Sequence, residues 1–133
     1  MPADLTLRDK EAAASYAMHA LFQGRRVLTD RGLSILGPRF IKDSSRVYFT
    51  NRLGISDAVF LRQGLKPIPS DRNLNVDNGD VIISFSNEDA LGNPCHNIQF
   101  ACIFGSMGAE FWEIRIYRSL LLKHYFFFLT CQS

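Results

Sequence analysis

Residues 110–130 read EFWEIRIYRSLLLKHYFFFLT, and the chain's aromatic and aliphatic mass is concentrated in this stretch. In its first part Trp112, Ile114 and Ile116 alternate with Glu113, Arg115 and Tyr117. A period of two places one row on a buried face and the other towards solvent or a partner, so this part is a half-buried strand. From Leu120 to Leu129 the alternation gives way to an apolar run interrupted only by Lys123 and His124. Such a run suits an element covered on both faces, or one that docks against another chain. The fold has to hide it.

Working back from that stretch, Gly105-Ser106-Met107-Gly108 forms a turn, and before it Asn97–Phe104 alternates again. Ile98, Phe100 and Cys102 point one way; Gln99, Ala101 and Ile103 point the other. With Val81–Ser86 upstream, joined through a turn at Asn87–Pro94, these segments make an antiparallel meander. Lys66–Asp80, KPIPSDRNLNVDNGD, has two prolines, three asparagines and little periodicity, which marks a long surface loop. Ile55–Gln63 fits helical and strand spacing alike. Arg39–Lys42 and Arg46–Thr50 flank Asp43-Ser44-Ser45 as a candidate hairpin. A second hairpin joins Val27-Leu28 to Leu33–Leu36 through Thr29-Asp30-Arg31-Gly32.

Ahead of these β-like runs lies one clear helix. Thr6 and Asp9 form a capping box with Asp in the place of Glu, and Leu7–Gln23 is rich in helix formers. Ala14, Ala17, Met18 and Leu21 share one face, and Gly24 stands where a left-handed C-cap belongs. The small alanines would let this helix sit close across a sheet. The predicted architecture is therefore α+β, with the N-terminal helix packed on a curved, mainly antiparallel sheet. The alternative is an all-β sandwich or jelly roll with one helix.

The 133 residues fit one globular domain spanning 1–133, and 47% hydrophobic with 21% charged residues is a globular composition. No apolar segment reaches the roughly 20 residues of a membrane-spanning helix. The N-terminus carries Asp4, Asp9 and Glu11 and lacks the basic and apolar regions of a secretion signal, so the expected location is the cytoplasm. Three cysteines, Cys95, Cys102 and Cys131, leave one unpaired in any connectivity, which argues against a secreted disulfide framework. Charge is polarised along the chain: residues 1–72 carry +5 and residues 73–133 carry −3. Such asymmetry favours steering of a charged partner or head-to-tail self-association.

No P-loop, dinucleotide fingerprint, zinc-protease, C-x-x-C or nucleophile-elbow motif is present. Cys95-His96 with Cys102 lacks the second pair that a structural zinc needs, and adjacent strand residues point to opposite faces. Neither a metal nor another cofactor is expected. A Cys/His pair drawn from His19, His96 or His124 would need a contact in space, and Cys102 sits at a core-facing strand position. Asp77, Asp80, Glu88 and Asp89 lack the spacing of a calcium loop and read as solvated turn residues. His124, inside the apolar run, suits a satisfied buried histidine or the rim of an interface. The leading functional expectation is a non-enzymatic interaction or assembly module, paired with itself or with another protein through Trp112, Leu121, Tyr125, Phe126, Phe127 and Phe128. A second expectation is single-stranded nucleic-acid binding by the basic first half, through Arg25, Arg26, Arg39, Lys42, Arg46 and Tyr48, because basic side chains hold phosphates and aromatics stack on bases. A third is small-molecule binding or catalysis in a pocket between helix and curved sheet.

Overall fold

Helix α1 (Leu7–Gln23) starts where its capping box predicts. The Thr6 hydroxyl accepts from the Asp9 amide at 3.1 Å, and the Asp9 carboxylate accepts from the Thr6 amide at 3.0 Å. It stops at Gly24, whose φ of 66° is the left-handed conformation that glycine adopts without a side-chain penalty. In the computed structural model, which describes residues 5–36, 46–68, 80–88, 94–104, 108–119, 121 and 124–132, this helix lies on one face of a single eight-stranded sheet. The strands are β1 (Arg26–Thr29), β2 (Gly32–Ile35), β3 (Val47–Arg52), β4 (Lys66–Pro67), β5 (Val81–Glu88), β6 (Pro94–Ile103), β7 (Ala109–Ser119) and β8 (His124–Gln132). Their order across the sheet is β2-β1-β8-β7-β6-β5-β3-β4. The fold is α+β and mainly antiparallel, with a bulge between Ser86 and Glu88 where β5 meets β6.

The meander β5–β6–β7 forms as its alternation predicts, with Ile98, Phe100 and Cys102 inward against Ile83, Phe85 and Ile114, and β8 extends it by pairing with β7. The β1–β2 hairpin also forms. Thr29 holds its turn, donating to the Gly32 carbonyl at 2.8 Å and accepting from the Arg31 amide at 3.0 Å. The turn is then tied to β8: Thr29 pairs with Leu129 in parallel, and the Asp30 amide donates to the Leu129 carbonyl.

Rings fill the core. Phe49 stacks on Phe60 at 4.6 Å, Phe60 meets Phe85 at a tilt at 5.4 Å, Phe85 stacks on Phe100 at 5.4 Å, and Phe100 on Trp112 at 6.5 Å. This row carries the core from β3 to β7, and Ala13, Ala14, Ala17 and Ala20 of α1 are fully buried against the same cluster. Methyl-sized side chains let the helix backbone come close to a layer made of aromatic rings.

Other segments depart from their sequence expectations. β3 is not one arm of a hairpin. It runs parallel to β5 on one side and to β4 on the other, and residues 39–42, its expected partner, lie outside the described residues. The parallel register is fixed by the Val81 amide donating to the Arg46 carbonyl, and by a two-pronged Arg46–Asp80 ion pair at 2.9 and 3.2 Å. A parallel neighbour requires a crossover, and Ile55–Gln63 supplies it as helix α2 (Ala58–Leu61), anchored by the fully buried Phe60. Lys66-Pro67, expected in a loop, forms the edge strand β4, while residues 69–79 of that loop lie outside the described residues. Among the described residues the apolar run after Ser119 is not covered on both sides. Leu121 lies in a turn, and β8 then alternates, with Tyr125, Phe127 and Leu129 towards α1 and Phe126 and Phe128 on the opposite face. His124, exposed at the start of β8, stands edge-on to Phe126.

Candidate interaction face

Among the described residues both helices pack on the same face of the sheet, and the opposite face has no layer over it. Register dictates what that open face carries. Because Leu129 and Ile114 point to the core as partners, their neighbours Phe128 and Arg115 pair on the outside, as do Phe126 and Tyr117. Because Thr29 is inward beside Leu129, Leu28 is outward beside Phe128, and its hairpin partner Leu33 continues the row. Leu28, Leu33, Ile35, Tyr117 and Phe126 are between 49% and 68% exposed. They are large apolar groups held on four adjacent strands, β2-β1-β8-β7, and a groove of about 360 Å³ lies among Leu28, Arg115, Tyr117, Phe126 and Phe128.

The face carries two internal ion pairs, and Arg26 on β1 stands exposed beside Ile35. Glu113 pairs with Arg115 at 3.5 Å and accepts from the Asn97 and Gln99 amides at 2.8 and 3.2 Å. Further across, Arg52 faces Glu88 at 3.7 Å, and Thr50 shares a hydrogen bond with Ser84. The open face thus carries large exposed apolar groups over β2-β1-β8-β7, while over β6-β5-β3 polar pairs stand beside the cross-strand row Tyr48-Ile82-Ile103.

The candidate interface residues separate by parity along their strands. Phe126 and Phe128 lie on the open face, and Leu121 is 92% exposed at the β7–β8 turn. The other three point inward: Trp112 lies over Phe100, Phe127 stacks on Tyr16 at 4.5 Å, and the Tyr125 hydroxyl donates to Asp9 at 2.9 Å. Leu28, Leu33, Ile35 and Tyr117 were not singled out from the sequence. Leu28, Leu33 and Ile35 fall in the arms of the expected hairpin, but a hairpin does not say which of its rows faces the helix.

The candidate nucleic-acid residues are not brought together. Arg25 sits over the Tyr16 ring at 5.6 Å, Arg26 is on the open face of β1, and Arg46 on β3 is paired with Asp80. β1 and β3 are five strand spacings apart, about 24 Å. Tyr48 is buried and offers no ring for stacking, and Arg39 and Lys42 lie outside the described residues.

The remaining candidates can be placed too. Burial, with the charge of Glu110 adding to it, pushes the Cys102 thiol up to about 12, so it stays protonated and unreactive at neutral pH. The side chains of Cys95 and His96 lie outside the described residues, and among those described no cluster of His, Cys, Asp and Glu could hold a metal. No described helix is long and apolar enough to cross a membrane. Comparison with protein-family models, with curated proteins and with solved structures finds no match to the chain.

Proposed function

We propose that the chain is a non-enzymatic assembly module that pairs with a second copy of itself through the open face of β2-β1-β8-β7. The supporting observation is the gathering of Leu28, Leu33, Ile35, Tyr117 and Phe126 there, each about half exposed or more. At about 200 Å² per large side chain they present on the order of 500 Å² of apolar surface, near the upper end for the largest patch of a typical monomer. Arg115 and the partly exposed residues around it add to this area, and a standard interface buries ~800 Å² per partner. Burying the apolar part of two such faces gives on the order of 25 kcal/mol gross, above the roughly 4–15 kcal/mol cost of association.

A second copy fits better than a strongly charged partner. An isologous interface sets the same patch of both copies against itself, so a strong net charge on the patch would meet a like charge. Here Arg115 is compensated by Glu113, and the other arginine of the face, Arg26, lies beside Ile35 on the β1–β2 side. Light scattering at micromolar concentration tests the proposal: twice the chain mass is expected for the wild type and one chain mass for Phe126→Asp. A wild type that stays monomeric throughout would overturn it.

A further inference from the structure

On the helix side of the molecule, a groove of about 370 Å³ runs between α1 and α2 and is bordered by Tyr125 of β8. Its shape follows from the sequence of α1. Arg8, Ala12, Ser15 and His19 fall at i, i+4, i+7 and i+11, one stripe along the helix beside its buried alanine face. The two middle residues are short, which lowers the floor, while Arg8 and His19 stand towards the ends. Val59, Arg62 and Gln63 of the α2 turn face them. The volume suits a small molecule.

The lining is rich in hydrogen-bond donors. Arg8 enters no ion pair among the described residues, and neither does Arg62. Arg62 donates its Nε to the Ala58 carbonyl at 3.1 Å, which leaves its two terminal amino groups for a ligand. Two planar guanidinium forks suit a phosphate, whose several oxygens can meet both at once. Ser15, His19 and Gln63 add neutral polar contacts further along the groove. Glu11 lines the same wall. It opposes a polyanion such as a nucleic-acid backbone, and it accepts hydrogen bonds from hydroxyl groups.

We propose that this groove binds a small phosphate monoester with a hydroxyl-bearing body, its phosphate held by Arg8 and Arg62 and its body by Glu11, Ser15, His19 and Gln63. The test is an amide NMR titration of the full chain with glucose 6-phosphate, inorganic phosphate, citrate and glucose. Glucose 6-phosphate is expected to give saturable shifts in residues 8–19 and 58–63, with affinity about tenfold above that for inorganic phosphate or citrate and no response to glucose. Arg8→Gln and Arg62→Gln, both at exposed positions, should each weaken binding by about tenfold while the rest of the spectrum is unchanged. Phe126→Asp should leave it intact, because that residue is on the opposite face. The proposal is overturned by an absence of saturable shifts, by shifts that persist in both arginine variants, or by citrate binding as tightly as the sugar phosphate.

Discussion

Asp9 is 1% exposed and still ionised, because every side of its carboxylate is occupied. Burial by itself raises its pKa, but hydrogen bonds from the Thr6 backbone, from Tyr125 and from the Thr6 hydroxyl, with the Arg118 guanidinium at 3.5 Å, together hold it below the usual 3.8. A carboxyl depressed on folding contributes stability above its unfolded pKa and loses that contribution as pH falls through the folded value. Asp9→Asn should therefore cost about 2 kcal/mol at pH 7 and progressively less below pH ~3.8, measured by urea unfolding across pH. An equal cost at pH 7 and pH 2 would show that the ionised form gains nothing from its partners. Half of this node was legible, since Thr6-x-x-Asp9 is a capping box by spacing alone. The other half, Tyr125 from 116 positions away, is a contact only the packed helix and sheet create.

The elements differ in what fixes them. Helix α1 carries its own signals, so its ends follow from Thr6 and Gly24 and its buried stripe from the alanines. Those alanines are there for closeness, and Ala17→Leu should cost about 1–3 kcal/mol by thermal unfolding, because Ala17 is fully buried and the larger side chain must push the packed layers apart. Helix α2 is the contrary case. Four residues have too little helix to nucleate unaided, and Phe60 holds them by entering the row of rings between Phe49 and Phe85. Phe60→Ala should cost about 3–5 kcal/mol and increase amide exchange in residues 58–64 more than in β6 and β7. The spacing of Ile55–Gln63 left its conformation open because the deciding force is this tertiary contact. The parallel pairing of β3 was missed for a similar reason: it depends on a crossover and on the Arg46–Asp80 pair, not on any local pattern.

On the scale of the whole molecule, the helices and the aromatic row define one covered face, and Leu28, Leu33, Ile35, Tyr117 and Phe126 on the other face stay about half exposed or more. The run Tyr125–Leu129 contributes to both. Phe126→Asp and Phe127→Asp therefore separate two roles of neighbouring residues with the same side chain. Phe126→Asp should leave the unfolding midpoint close to that of a monomeric wild type while abolishing self-association. Phe127→Asp places a charge against Tyr16 under α1 and should destabilise the chain by about 3 kcal/mol or more, in oligomer and monomer alike. Circular dichroism with light scattering on both variants makes the comparison. Loss of fold in both would place Phe126 in the core, and intact association in Phe126→Asp would remove the open face from the assembly.

What the sequence determined by itself was local: the capped helix, the β1–β2 hairpin, the meander and the alternating rows of β6 and β7, because each of these depends on spacings of a few residues. Only the tertiary structure decided which row of each strand meets the helix, since a period of two is symmetric between faces and is broken only by what packs against them. The same asymmetry decided the stretch from Glu110 to Thr130. Trp112, Tyr125 and Phe127 became core when α1 docked on their side, and Tyr117, Phe126 and Phe128 were left outward with Leu28 and Leu33 from a hairpin about a hundred residues earlier in the chain.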